Sequence, residues 1–300
     1  MKNNIISTTH VFLATLVVSL AFIGCDKIEA PYGTVNASSI DTVAYPPPVF
    51  TLNYSEPRRV LVEDYTGHTC GNCPNAAVIL ENMVSSSGGK VIGMAIHAGS
   101  TFAPPIPPNY PVDYRTPVGD ALDGIFGITS AGQPNGMINR KKNGNTYYAL
   151  PNTWNNKVSA VLSASPEADA QVAIKSYHDA AKNKIIAYVH AGFLEPMQGT
   201  YNLAAYVIED SIIGDQKWYG QGLPQDHAHD YVFMHTLRGN VSPVWGEEIV
   251  TNPTVGSVFR KTWSLTIKPE WNVEHLKIVA VLYNKDTYEV IQPAEVHVGH

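Results

Sequence analysis

Two cysteines three positions apart, at the seam between a strand-like run and a helix-like run, constrain this chain more than any other feature. In "VLVEDYTGHTCGNCPNAAVILENM", residues 60–83, Cys70 and Cys73 follow an apolar run of strand length and precede an apolar helical pattern. A C-x-x-C placed there sets its first cysteine at a helix N-terminus, where free amide groups and the dipole favour a thiolate. The second cysteine, one turn on, is shielded and resolves a mixed disulfide. Pro74 suits an early helical position, where its missing amide hydrogen costs nothing. Three readings follow: a working redox pair, a metal clip, or a disulfide that pins a loop.

The N-terminus bears on the choice. Residues 1–24 carry one basic residue, Lys2, and then the apolar run "VFLATLVVSLAFIG", the pattern of a secretory signal peptide. The stop at "FIGC" resembles a bacterial lipobox, with Phe22 where leucine is commoner, and that resemblance implies a lipid on Cys25. The acyl chains would be the membrane contact, since no other run approaches 18 apolar residues. The chain has three cysteines, so if Cys25 carries lipid, Cys70 and Cys73 have only each other. A four-sulfur zinc site is excluded by that count. The compartment is oxidising, and a disulfide there persists. A net charge of −6 without a basic cluster argues against nucleic acid as a partner.

Residues 25–56 lack helical periodicity and contain Pro46-Pro47-Pro48, which predicts an extended tether. From Arg58 strands and helices alternate: "RRVLVEDY", "NAAVILENMVSSSGG", "KVIGMAIHAG", "VGDALDGIFGI", "PNGMINRK" and "TWNNKVSAVLSA". A proline-rich insert, "TFAPPIPPNYPVDYRTP", reads as a loop. After Ser165-Pro166 the rhythm is all-β, with seven strand-length runs from "ADAQVAIKSY" to "YEVIQPAEVHV". The expectation is an α/β domain over 57–164 followed by an antiparallel β-sandwich over 165–300.

"VLVEDYTGHTCGNCP" resembles the thioredoxin active-site region: a strand, a carboxylate six residues before the first cysteine, and C-x-x-C opening a helix. That resemblance implies a thioredoxin-like fold, Cys70 as attacking thiolate, Cys73 as resolver and Asp64 as the buried acid that moves a proton for Cys73. Glu63, on the opposite strand face, is the alternative. It further implies a cis-proline before the next strand, which "SAGQPNGMINR" supplies as Pro134, with Gln133 presenting backbone to a substrate. His68, two residues before the pair, is placed with Gln133 and Pro134 as a substrate contact and as a neighbour able to lower a thiol pKa. Two departures bear on docking: Thr69 stands where tryptophan is usual, and Pro74 where a basic residue is frequent.

The whole chain resembles the Omp28-related outer-membrane lipoprotein family, on "TGHTCGNCP", "GQPNGMINR" and the later "DYVFMHTLRG…WGEE". That resemblance implies an outer-membrane location and carries no defined reaction. Other candidates have ordinary explanations. His68 and His97 with the two sulfurs suggest copper or zinc, but loop histidines that tune Cys70 suffice. Asp226, His227, His229 and Asp230 crowd "QDHAHDY", where a solvated loop is the common outcome and a cation the rarer one. Trp218, Tyr219, Trp245, Trp263 and Trp271 suit core packing as well as a sugar or peptide platform. No Walker loop, dinucleotide fingerprint or G-x-S-x-G is present, and no cofactor is expected. Two functions compete. One is thiol–disulfide exchange with a protein partner; the other is a scaffold with a structural Cys70–Cys73 bond whose sandwich binds a protein or glycan.

Overall fold

A computed structural model describes residues 40–299 of the chain. The signal peptide expected over 1–24, lipidation at Cys25 and the tether residues 25–39 lie outside the described residues. The first half runs β1 (Val60–Thr66), α1 (Cys73–Ser86), β2 (Val91–His97), α2 (Pro117–Phe126), β3 (Asn135–Ile138) and α3 (Pro151–Ala164). The second runs β4 (Ala170–Asp179), β5 (Lys184–Phe193), β6 (Thr200–Glu209), β7 (Ile212–Lys217), β8 (His227–Phe233), β9 (Thr236–Asn240), β10 (Glu247–Thr251), β11 (Val258–Thr266), β12 (Leu276–Asn284) and β13 (Val290–His297). Helix ends follow local chemistry. The Thr116 hydroxyl accepts from the Gly119 amide at 3.0 Å to open α2, and Gly127 closes it at φ +64°.

Eight strands form one mixed sheet in the order β13-β12-β6-β9-β2-β1-β3, with β10 also on β6. Strand β1 pairs parallel with β2 and antiparallel with β3. The expected division at 164/165 therefore does not separate two sheets. The edge of β2 is met by β9 from the later half, where the Ala95 amide donates to the His235 carbonyl at 2.8 Å. Covering an otherwise open edge is the physical reason for the merger. Strands β11-β5-β4 form a second sheet, and β7-β8 a separate hairpin.

Burial explains the continuous apolar stretches of β1 and β12, Val60–Val62 and Ile278–Leu282: both faces of these strands are covered. One core packs Leu61, Tyr65, Met94, Tyr206 and Val281 beneath α2, along a single face of the large sheet. On the opposite face, Val60 and Val62 meet Leu80 of α1 and Trp154 of α3. Further along that face, Leu203, Ala205, Ile278 and Ala280 meet Val189 and Trp263 of the three-stranded sheet. The protein is thus a mixed α/β body with one large sheet and smaller antiparallel ones.

Two expectations change. Residues 40–56, read as tether, pack on the outer face of β4 and β5. There Tyr188 donates to the Tyr45 carbonyl and Tyr177 to that of Pro46, both at 2.8 Å, and Phe50 stacks on His190. The outward aromatic residues of those strands give the proline-rich segment a surface that its own sequence does not reveal. "DYVFMHTL", read as one strand, is two, because His235 at φ +56° turns the chain from β8 into β9.

Candidate redox site

Cys70 and Cys73 form a disulfide at the start of α1, and both are almost fully buried. The bond leaves no thiolate for a metal, so the clip reading does not describe this state. The loop that carries Cys70 is tied down by Thr69, whose amide and hydroxyl both donate to the Phe102 carbonyl, at 3.1 and 2.9 Å.

Alternation along β1 separates the two acids. Glu63 points into the α2 side of the sheet, where it pairs with Arg140 at 2.7 Å, both fully buried. The guanidinium also lies over Phe126, Tyr206 and Tyr283. Asp64 points the other way, toward α1. It lines a cavity of about 20 Å³ with Cys73, Pro74, His97, Gln216 and Tyr231, room for about one water. Its Oδ1 has no hydrogen-bond partner among the described residues. Burial alone pushes its pKa up from 3.8 to about 8. Across the cavity, His97 is equally buried, neither ring nitrogen finds a partner among the described residues, and burial lowers its pKa to about 3, aided by His68 and Arg238. Both groups stay neutral near pH 7.

The Gln133–Pro134 peptide bond is cis. Register sets Asn135 opposite Tyr65, so Pro134 adjoins the end of β1 from which the C-x-x-C loop departs. The Gln133 side-chain amide donates to the Thr66 carbonyl at 2.7 Å, which fixes that approach. His68 is buried, with Nε2 3.0 Å from the Pro104 carbonyl, and burial lowers its pKa in spite of that bond. It is therefore a neutral ring packed against Tyr110 and Tyr114, not an imidazolium beside the thiol.

The hairpin β7-β8 closes over the pair. Gln216 Nε2 donates to the Cys70 carbonyl at 3.1 Å, the Lys217 amide to the His68 carbonyl at 2.8 Å, and the Tyr219 amide to the Gly71 carbonyl at 2.9 Å. A β-carbon at Gly71 would lie 2.5 Å from the Tyr219 ring, so only glycine allows that ring to cover the C-x-x-C turn. Trp218 Nε1 donates to Asn75 Oδ1 at 3.1 Å, on the first turn of α1. Gln216, Tyr219 and Tyr231 escape a reading of the sequence by motif. Gln216 and Tyr219 lie in "IIGDQKWYG", a short half-polar run in which Tyr219 reads only as one more aromatic, and Tyr231 closes the polar "QDHAHDY".

Of the residues singled out in "QDHAHDY", His227 and His229 converge on Asp215 of the neighbouring strand, at 2.8 and 3.0 Å. Asp226 and Asp230 do not join that group. Trp263 and Trp271 are core residues, as packing predicts.

The chain is similar in fold to HBP35 of Porphyromonas gingivalis, with a TM-score of 0.57 and 16% identity over 81% of this chain and 76% of that one. A protein from Agrobacterium tumefaciens matches at a TM-score of 0.48 and 13% identity, over 82% and 96% of the two chains. A domain of the outer membrane lipoprotein Omp28 from Porphyromonas gingivalis matches at a TM-score of 0.31 and 20% identity, over 44% and 89%. No curated protein matches the sequence. No helix among the described residues is long and apolar enough to cross a membrane. The family model for the outer membrane protein Omp28 matches residues 120–300, a span that holds β3, the cis-proline and the covering hairpin but ends short of the cysteine pair. With more than half of its length matched, the chain belongs to the Omp28 outer membrane protein family.

Proposed function

We propose that this protein exchanges thiols and disulfides at the outer membrane, held there by lipid on Cys25. The observation that carries the reading is Asp64. An unpartnered, buried carboxyl that holds its proton to about pH 8 shares a cavity with Cys73. Support comes also from β2-β1-β3 with C-x-x-C at the β1–α1 junction and cis-Pro134 before β3, the thioredoxin-like order of parts. In the reduced protein the Cys70 thiolate attacks a partner disulfide, forming a mixed disulfide and releasing one partner thiolate. The Cys73 thiol then gives its proton to the minority of Asp64 that is ionised below its pKa of about 8, and its sulfur attacks Cys70, which releases the second partner thiolate. Two electrons pass from the cysteine pair to the partner. Gln133 and cis-Pro134, with His68 once the hairpin lifts from it, supply the docking edge. The later strands, two sheets packed face to face, make the sandwich-like support for that hairpin.

Burial of both cysteines, with Tyr219 against Gly71 between them, favours a second reading, in which the bond is structural and the β-rich half binds a protein or glycan. Trapping separates the two. Cys73→Ser, reduced and offered a disulfide-bonded protein, should accumulate a mixed disulfide on Cys70 that Cys70→Ser never forms. Absence of that adduct at every redox poise would leave the structural reading standing.

A further inference from the structure

We infer that Asp215, His227 and His229 form a binding site for a borderline first-row divalent cation, zinc(II) or copper(II), on the hairpin that covers the disulfide. Their candidate ligand atoms all lie within 4.8 Å of one another. His227 Nε2 and His229 Nδ1 approach the same oxygen, Asp215 Oδ1, at 2.8 and 3.0 Å, and the two imidazole rings sit 4.0 Å apart. The backbone is built to bring them together. His227 and His229 are two apart on β8 and so share a face. Opposite them, the β7–β8 register slips between Gly214 and Gln216, where Asp215 alone faces His229 and Asp230, so the bulge lies on β8. Cross-strand placement at that irregularity sets the one carboxylate beside both imidazoles.

The donor set selects the ion. Two imidazoles and one carboxylate are too few oxygens for calcium or magnesium, and imidazole suits zinc and copper. Three protein ligands leave one coordination position open. Side-chain exposure is graded, from 7% at His227 through 29% at Asp215 to 72% at His229, so that open position faces solvent. Tyr110 stacks on His227 at 4.6 Å and holds the innermost ring in place. Between Asp215 and His227 lie Gln216, Lys217 and Tyr219, the residues that clasp the C-x-x-C loop. A bound ion therefore ties the base of that clasp and holds the cover shut. This inference needs only the geometry of the cover, not turnover by the cysteines.

Calorimetric titration of the detergent-solubilised full chain, disulfide intact, with zinc chloride and copper chloride tests the site. One equivalent should bind, and His229→Ala and Asp215→Asn should each weaken uptake at least about tenfold. His229 is exposed, so its replacement leaves the fold intact. No saturable uptake of either ion, or variants that bind as tightly as the parent, would overturn the assignment. With zinc bound, reduction of Cys70–Cys73 by a phosphine should slow at least about tenfold in the parent and stay unchanged in His229→Ala. Equal rates with and without zinc in the parent would overturn the role of the ion in closing the hairpin.

Discussion

Neighbouring carboxylates on β1 meet opposite fates, and only Asp64 lines the cavity that Cys73 also lines. Glu63 pairs with Arg140 beneath aromatic rings; Asp64 is unmatched and protonated. In the unfolded chain Asp64 ionises above about pH 3.8, whereas in the folded chain it waits until about 8. The folded state thus holds an extra proton in that window, and stability falls as pH rises through it, by about 1.4 kcal/mol per unit. Asp64→Asn should match the parent in stability at pH 4 and gain steadily toward pH 8, as urea unfolding across that range would read. A difference that does not change with pH would contradict a buried protonated acid. The same substitution should slow resolution of the mixed disulfide about 10²-fold. Residue-scale features were largely legible: the period-two pattern of β1 already parts Asp64 from Glu63, and Pro134 is cis as the thioredoxin resemblance implies. The neutral state of His68 was not, because it depends on Tyr110, Tyr114 and the Pro104 carbonyl, which a distant loop supplies.

At the scale of elements, the hairpin β7-β8 governs access. Its hold on the C-x-x-C loop and the start of α1 consists of two backbone bonds, side-chain bonds from Gln216 and Trp218, and one aromatic ring, a small contact that local opening can break. Tyr219→Ala removes the ring but no hydrogen bond, and partial burial of such a ring is worth about 1–2 kcal/mol. Reduction of the disulfide by a phosphine, followed by thiol alkylation and mass analysis, should therefore run about tenfold faster in the variant. An unchanged rate would mean that Tyr219 does not limit access. Most strands and all three helices were readable from period and punctuation, while this hairpin was not. β7 is half-exposed, with no alternation to mark it, and β8 begins inside what reads as a polar loop. Asp215 was missed for the same reason: it sits on that unmarked strand and meets the two histidines only through cross-strand pairing.

Across the whole molecule, the α/β and all-β halves of the chain are joined by one sheet. A reading by segments places a boundary after α3, and the local patterns do change there. Strand pairing over more than a hundred residues is invisible to such a reading, and β9 on β2 is such a pair. The later half thereby both completes the sheet behind the cysteines and delivers the cover in front of them. That arrangement suits a pair that is protected until a partner lifts the hairpin. Its reduction potential tests the account most directly, measured by equilibrating the full-length protein with glutathione buffers and counting alkylated thiols. An exchanging pair should equilibrate within about −120 to −270 mV, the range of working dithiol proteins. A value below about −300 mV, with the bond intact in every glutathione buffer, would mark the disulfide as structural and contradict the account.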